Sequence, residues 1–173
     1  MANDYLMPKI EKIKKRHLLK RKQQKAELEK IENALCTTVN IDDKTQLETG
    51  VLDDGTHVLL YQNEILFFEK EGRLFPTLHA LLKDMIRVPR IAVDMGAIRF
   101  VVNGADIMRP GVITIEDTVR KDGVVAIVDE RHGKPLAVGI STMDAEEMRA
   151  CTKGKVVLSA HYVNDHLWDF TKG

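Results

Sequence analysis

Two glycines and a proline fall within eight residues in Gly104-Ala105-Asp106-Ile107-Met108-Arg109-Pro110-Gly111, and they dictate the backbone there. Glycine reaches φ > 0 without penalty and lets another group approach the main chain closely. Proline fixes its own φ and removes a donor. The run just before it, Val93-Asp94-Met95-Gly96-Ala97-Ile98-Arg99-Phe100-Val101-Val102-Asn103, carries no nucleophile–base pair and no metal-spaced cluster. Geometry this constrained without catalytic partners predicts a backbone surface made for docking.

Other function classes are excluded residue by residue. Neither G-x-x-x-x-G-K-[ST] nor G-x-G-x-x-G occurs, so nucleotide binding has no support. Cys36 and Cys151 are far apart and outside any C-x-x-C pair, which predicts two buried, inert thiols and no zinc site. His161, Asp165, His166 and Asp169 lie close in sequence, but His161 and His166 lack the i, i+4 spacing of a helical metal pair. No metal, no cofactor and no catalytic residue is therefore expected. With 44% hydrophobic and 30% charged residues the chain should fold, and with 5% aromatics its core must rest on aliphatic side chains. No apolar run is long enough to span a bilayer, and the N-terminus becomes charged at once, so a cytoplasmic protein without a membrane partner is expected.

The formal net charge is zero, but its distribution is polar. Residues 9–30 hold ten lysines and arginines against three glutamates, a net of +7, which leaves −7 for the remainder. That asymmetry favours an oriented approach to a polyanion.

Apolar spacing and turn residues predict an extended piece over 16–20, a helix over 21–35, and strands at 39–41, 46–52, 56–62 and 64–70. Asp53-Asp54-Gly55 and Glu71-Gly72-Arg73 read as turns, and Pro76-Thr77 as a helix start with Leu78, Leu81, Leu82 and Met85 on its apolar face. Ile65-Leu66-Phe67-Phe68 does not alternate, so that strand should be covered on both faces. Val88-Pro89-Arg90 marks a boundary between units 1–88 and 89–173. Beyond it, strands are expected at 91–94, 111–115, 124–129, 136–142, 155–160 and 167–170. A helix is expected within 96–103 and another from Asp144 to about Thr152. Many short strands with few helices make a small, partly closed barrel.

Val93, Asp94, Gly96, Ala97, Val101, Gly104, Ala105, Asp106, Pro110 and Gly111, with Gly154-Lys155 and the tail His161 to Trp168, resemble the PUA domain. Upstream, Glu64-Ile65-Leu66-Phe67-Phe68, Glu71-Gly72 and Phe75-Pro76-Thr77-Leu78 are similar to the family of the multiple-copies-in-T-cell-lymphoma protein, in its archaeal branch. The resemblance implies an α+β chain: a small N-terminal α/β pre-PUA domain followed by a C-terminal PUA domain, a mixed-strand pseudobarrel with short helices. It implies a non-catalytic, translation-linked RNA-binding protein that engages the tRNA acceptor end or the small ribosomal subunit. A partner akin to the density-regulated protein would follow from the same kinship. An adaptor for a translation factor and a specificity module for a separate RNA-modifying enzyme remain alternatives.

The expected RNA contacts follow from backbone and charge. They are Gly104, Ala105, Asp106, Met108, Arg109, Pro110 and Gly111 of the glycine segment, with Lys153, Lys155 and His161 beside it. Lys15, Arg16, Lys20 and Arg21 of the basic segment would add sequence-independent affinity. Arg109 is expected to fork across a phosphate, Asp106 to bond local backbone amides, and Trp168 to sit in the core of the closing strand.

Overall fold

The computed structural model describes residues 12–170; the loose terminus expected over 1–7 lies outside them. The first half opens with β1 (Lys14–Leu18), α1 (Arg21–Leu35), β2 (Glu48–Val51) and β3 (His57–Tyr61). It continues with β4 (Glu64–Lys70), β5 (Arg73–Pro76) and α2 (Leu78–Leu82). Its five strands form an antiparallel sheet in sequence order, so β1 is an edge. Ile65, Leu66, Phe67 and Phe68 are all buried to 2% exposure or less, so β4 is covered on both faces as its unbroken apolar run requires.

Gln24 interrupts the apolar stripe of α1, and the structure gives the reason. Its amide donates to Thr45 O at 2.7 Å and accepts from Leu47 N at 3.0 Å, which satisfies the loop that leads into β2. The same kind of contact removes the strand expected at 39–41. Val39 N–H bonds the Glu32 carboxylate at 2.9 Å and Asn40 N–H bonds Met85 O at 2.6 Å, so this backbone pairs with no strand. β5 was not anticipated. Glu71 (φ +53) and Gly72 (φ +75) fold a tight hairpin that pairs Lys70 with Arg73. Thr77 caps α2, as the Pro76-Thr77 start requires: its hydroxyl accepts from Ala80 N at 3.3 Å and donates into β4 at Ile65 O, 2.8 Å. Leu78 and Leu81 of the expected apolar face are buried, while Leu82 is exposed.

The second half comprises β6 (Arg90–Val93), α3 (Ile98–Val101), β7 (Ile107–Met108), β8 (Val112–Ile115) and β9 (Val124–Asp129). β10 (Pro135–Ser141), α4 (Ala145–Ala150), β11 (Lys155–Tyr162) and α5 (His166–Phe170) complete it. The six-stranded sheet runs β7-β11-β10-β9-β6-β8 and is antiparallel except for β6–β9. It is the nearly closed, mixed-strand barrel of the expected α+β class. Residues 167–170, expected as a closing strand, are helical. Asn164 turns the chain at φ +74 and Asp165 accepts the Trp168 amide at 2.9 Å, a helix cap that ends the strand. Trp168 therefore lies on α5, half-buried, with its ring stacked on His79 at 4.6 Å between centroids.

One apolar core fills the barrel: Ile91, Val93, Val101, Ile107, Val125, Ile127, Met148 and Val157 are among its members. The other does not stop at the first half. It joins Leu60, Phe68, Phe75 and Leu78 to Val128, Val138 and Leu167 of the second.

Candidate nucleic-acid interface

The glycine segment is built from β6 outward. Asp94 follows β6 and its carboxylate accepts Ala97 N at 2.8 Å, which starts the turn into α3. A Cβ on Gly96 would lie 3.3 Å from that carboxylate, and one on Gly111 would lie 3.1 Å from the Ala97 methyl. Gly104 has φ +86, and a Cβ there would lie 2.6 Å from the Tyr162 ring. Contacts within the chain thus account for Gly104, where both the positive φ and the Tyr162 ring select glycine, while a methyl at Gly96 or Gly111 would need its neighbour to shift by a few tenths of an ångström.

What the segment leaves outward is a short rim. β7 pairs with the start of β11, setting Met108 beside Lys155, and Arg109 N–H closes on Gly154 O at 2.8 Å. Asp106 accepts Ser159 N at 2.8 Å and ion-pairs Lys155 at 2.9 Å. Burial pushes its carboxyl up, but Lys155 and the Ser159 amide outweigh that and hold it below the usual carboxylate range. Ala105, Pro110, Lys153 and Lys155 are exposed, and so is Met108.

Two expected contacts turn inward. The Arg109 guanidinium donates from Nε to Met148 O at 2.7 Å and from Nη1 to Val112 O at 3.2 Å, bracing α4 against β8 instead of forking toward solvent. His161 is fully buried, with Nδ1 2.7 Å from Asp165 and Nε2 accepting the Leu78 amide at 3.1 Å. His161 presents no group to a ligand in this arrangement, whereas Arg109 remains half-buried. In the basic segment Arg16 is also engaged, by Glu48 at 2.7 Å and Asn63 at 2.7 Å. Lys15, Lys20 and Arg21 are exposed. The thiols are not buried as expected: Cys36 is exposed at the left-handed end of α1, and Cys151 is half-buried.

Sequence reasoning missed Phe100. It is 54% exposed on α3, its carbonyl accepts the Ala105 amide at 3.0 Å, and the Arg99 guanidinium lies 4.7 Å from its ring centroid. The signal was present, since Phe100 sits off the helical face shared by Ala97 and Val101. An exposed aromatic beside a cation offers a stacking surface with a charge next to it.

Asp165 holds the C-terminal turn. Burial pushes its carboxyl up, but the His161 ring and the amides of Trp168 and Tyr162 outweigh that and bring it below the ordinary value. The native state thus favours the ionised form. The stability it contributes is present above the ordinary carboxylate range and lost as pH falls through the lowered folded value. Asp165→Asn is expected to cost about 2–3 kcal/mol near neutral pH by urea unfolding. The gap should close below about pH 4.

A mixed-strand barrel with a glycine rim defines the class. The PUA domain model matches residues 89–163, and a model described as a domain of unknown function, DUF1947, matches residues 15–84. An uncharacterized protein of Methanocaldococcus jannaschii is 37% identical over 163 residues, covering 91% of this chain and 98% of the relative. Translation machinery-associated protein 20 of Saccharomyces cerevisiae is 33% identical over 137 residues, with 76% of each chain covered. Malignant T-cell-amplified sequence 1 of Rattus norvegicus is 39% identical over 115 residues, covering 64% of this chain and 63% of that one. Among solved structures, a PUA-domain protein of Aeropyrum pernix superposes with a TM-score of 0.79 at 25% identity, over 93% of this chain and 92% of its own. A hypothetical protein of Pyrococcus horikoshii gives 0.73 at 26%, over 90% and 99%. The chain belongs to the PUA-domain family that includes translation machinery-associated protein 20 and malignant T-cell-amplified sequence 1.

Proposed function

We propose that this chain is a non-catalytic RNA-binding protein of the translation apparatus, working in the cytoplasm on the tRNA acceptor end or the small ribosomal subunit. The observation that carries the reading is α3, where Phe100 stands exposed with the Arg99 guanidinium 4.7 Å from its ring and the exposed Ala105 bonded to its carbonyl. An unpaired RNA end offers base faces for the ring and phosphates for the cations. The basic β1–α1 region adds a second, sequence-independent contact. α1 begins with Arg21 and Lys22, cations at the positive end of the helix dipole, where they repel the helix itself and favour an anion. The translation-associated names of the relatives support the same assignment.

Purified protein should bind tRNA or small-subunit RNA with affinity that falls steeply as salt rises. Absence of binding to both at low salt would overturn the reading. Recovery of small-subunit proteins that survives nuclease treatment would instead favour a protein-docking adaptor of the density-regulated-protein type. Phe100→Ala should weaken binding to a single-stranded RNA end by about tenfold, in line with the loss of one stacked base. It should leave binding to a blunt duplex unchanged, as read by fluorescence anisotropy.

A further inference from the structure

β11 and α2 belong to different halves of the chain, yet one imidazole joins them. The Leu78 amide can only donate, so the His161 Nε2 that it reaches at 3.1 Å carries a lone pair. The ring proton therefore lies on Nδ1 and points to Asp165 Oδ2 at 2.7 Å. Asp165 in turn accepts Tyr162 N at 3.0 Å and caps α5. On the other side Leu78 is the first residue of α2, and its neighbour Thr77 is bonded into β4. A continuous series of hydrogen bonds thus runs from α5 through His161 into the five-stranded sheet, with the ring fully buried and edge-on to Phe68 at 5.6 Å. His79 stacked on Trp168 and Lys70 bonded to Ala160 O at 3.3 Å lie along the same seam.

We propose that His161 is a latch that holds the two sheets in one fixed orientation. Its two bonds have different tasks. The Asp165 bond keeps the tautomer and closes the C-terminal turn, while the Leu78 bond crosses between the halves. With the latch closed, the β1–α1 cations and the α3–β11 rim stand at a preset spacing and are not merely tethered. That consequence rests on the RNA-binding reading above; the latch itself does not.

Asparagine and glutamine separate the two bonds. His161→Asn places an amide near the Nδ1 position and keeps Asp165, but leaves the Leu78 amide without its acceptor. His161→Gln reaches the Nε2 position and keeps Leu78. In native-state hydrogen exchange, α2 amides should exchange at least about tenfold faster in His161→Asn, with β9 and β10 unchanged. Residual dipolar couplings of the two sheets should fit one alignment frame in the wild type and in His161→Gln, and two frames in His161→Asn. A single frame retained in His161→Asn would overturn the latch. So would exchange that accelerates evenly over the whole chain, which makes His161 a packing residue only. Should His161→Asn not fold, the wild type still decides, because two frames there would refute a fixed orientation. For tRNA, His161→Asn should lower affinity by about tenfold while the effect of Phe100→Ala on a short single strand stays as it was. If no RNA binds at all, the exchange and alignment results stand alone.

Discussion

Gly104→Ala is expected to destabilise the protein by about 3 kcal/mol, read as a lower urea midpoint at unchanged slope. Two effects combine. The position has φ +86, where an L side chain costs about 1–2 kcal/mol. The added methyl would also lie 2.6 Å from Tyr162 Cε1, an overlap relieved only by moving a ring packed against the barrel core, at about 1–3 kcal/mol. Gly154→Ala separates the two, because Gly154 has φ +95 with nothing within 4 Å of a Cβ. It should cost about 1 kcal/mol. Equal losses at the two positions would show that the Tyr162 contact is unimportant and that backbone strain alone selects glycine.

Replacing Lys15, Lys20 and Arg21 together by glutamine is expected to reduce tRNA affinity about 100-fold near 0.1 M salt. The slope of log affinity against log salt should become shallower by about 2–3, one phosphate contact being lost per cation. All three are exposed, so unfolding stability should stay within about 0.5 kcal/mol. Arg16 is left out deliberately, since its bonds to Glu48 and Asn63 would make its loss a stability change. Arg109 is unsuitable for the same reason: removing it strips hydrogen bonds from the carbonyls of Met148 and Val112. An unchanged salt slope in the triple variant would move the electrostatic contact away from β1 and α1.

The α+β class and most elements were legible because local signals agreed with the global fold. The Asp-Gly turn before β3, the unbroken apolar run of β4 and the charged helix of α1 each needed only neighbouring residues to be read. The failures share a cause. Residues 167–170 alternate poorly as a strand or a helix, and what decides between them is a buried carboxylate bonded to a histidine, invisible to periodicity. β7 is two residues long and exists because the start of β11 lies beside it. Among the proposed site residues, charge and glycine content singled out a segment but not which way each side chain points. Arg109 and His161 have the chemistry of ligand contacts, yet tertiary partners draw both inward. Phe100 has the chemistry of a core residue, yet its place on α3 turns it out.

The bond between Leu78 and His161 spans 83 positions, and the core around it includes Leu167. A polypeptide made from its N-terminus has its first sheet complete at Pro76 long before these partners exist. Until β11 and α5 leave the ribosomal exit tunnel, the amide that opens α2 lacks its acceptor and Phe68 lacks part of its cover. Nascent chains halted before residue 161 should therefore remain protease-sensitive around α2 even with the five-stranded sheet fully synthesised, and gain resistance only once residues 161–167 have left the tunnel.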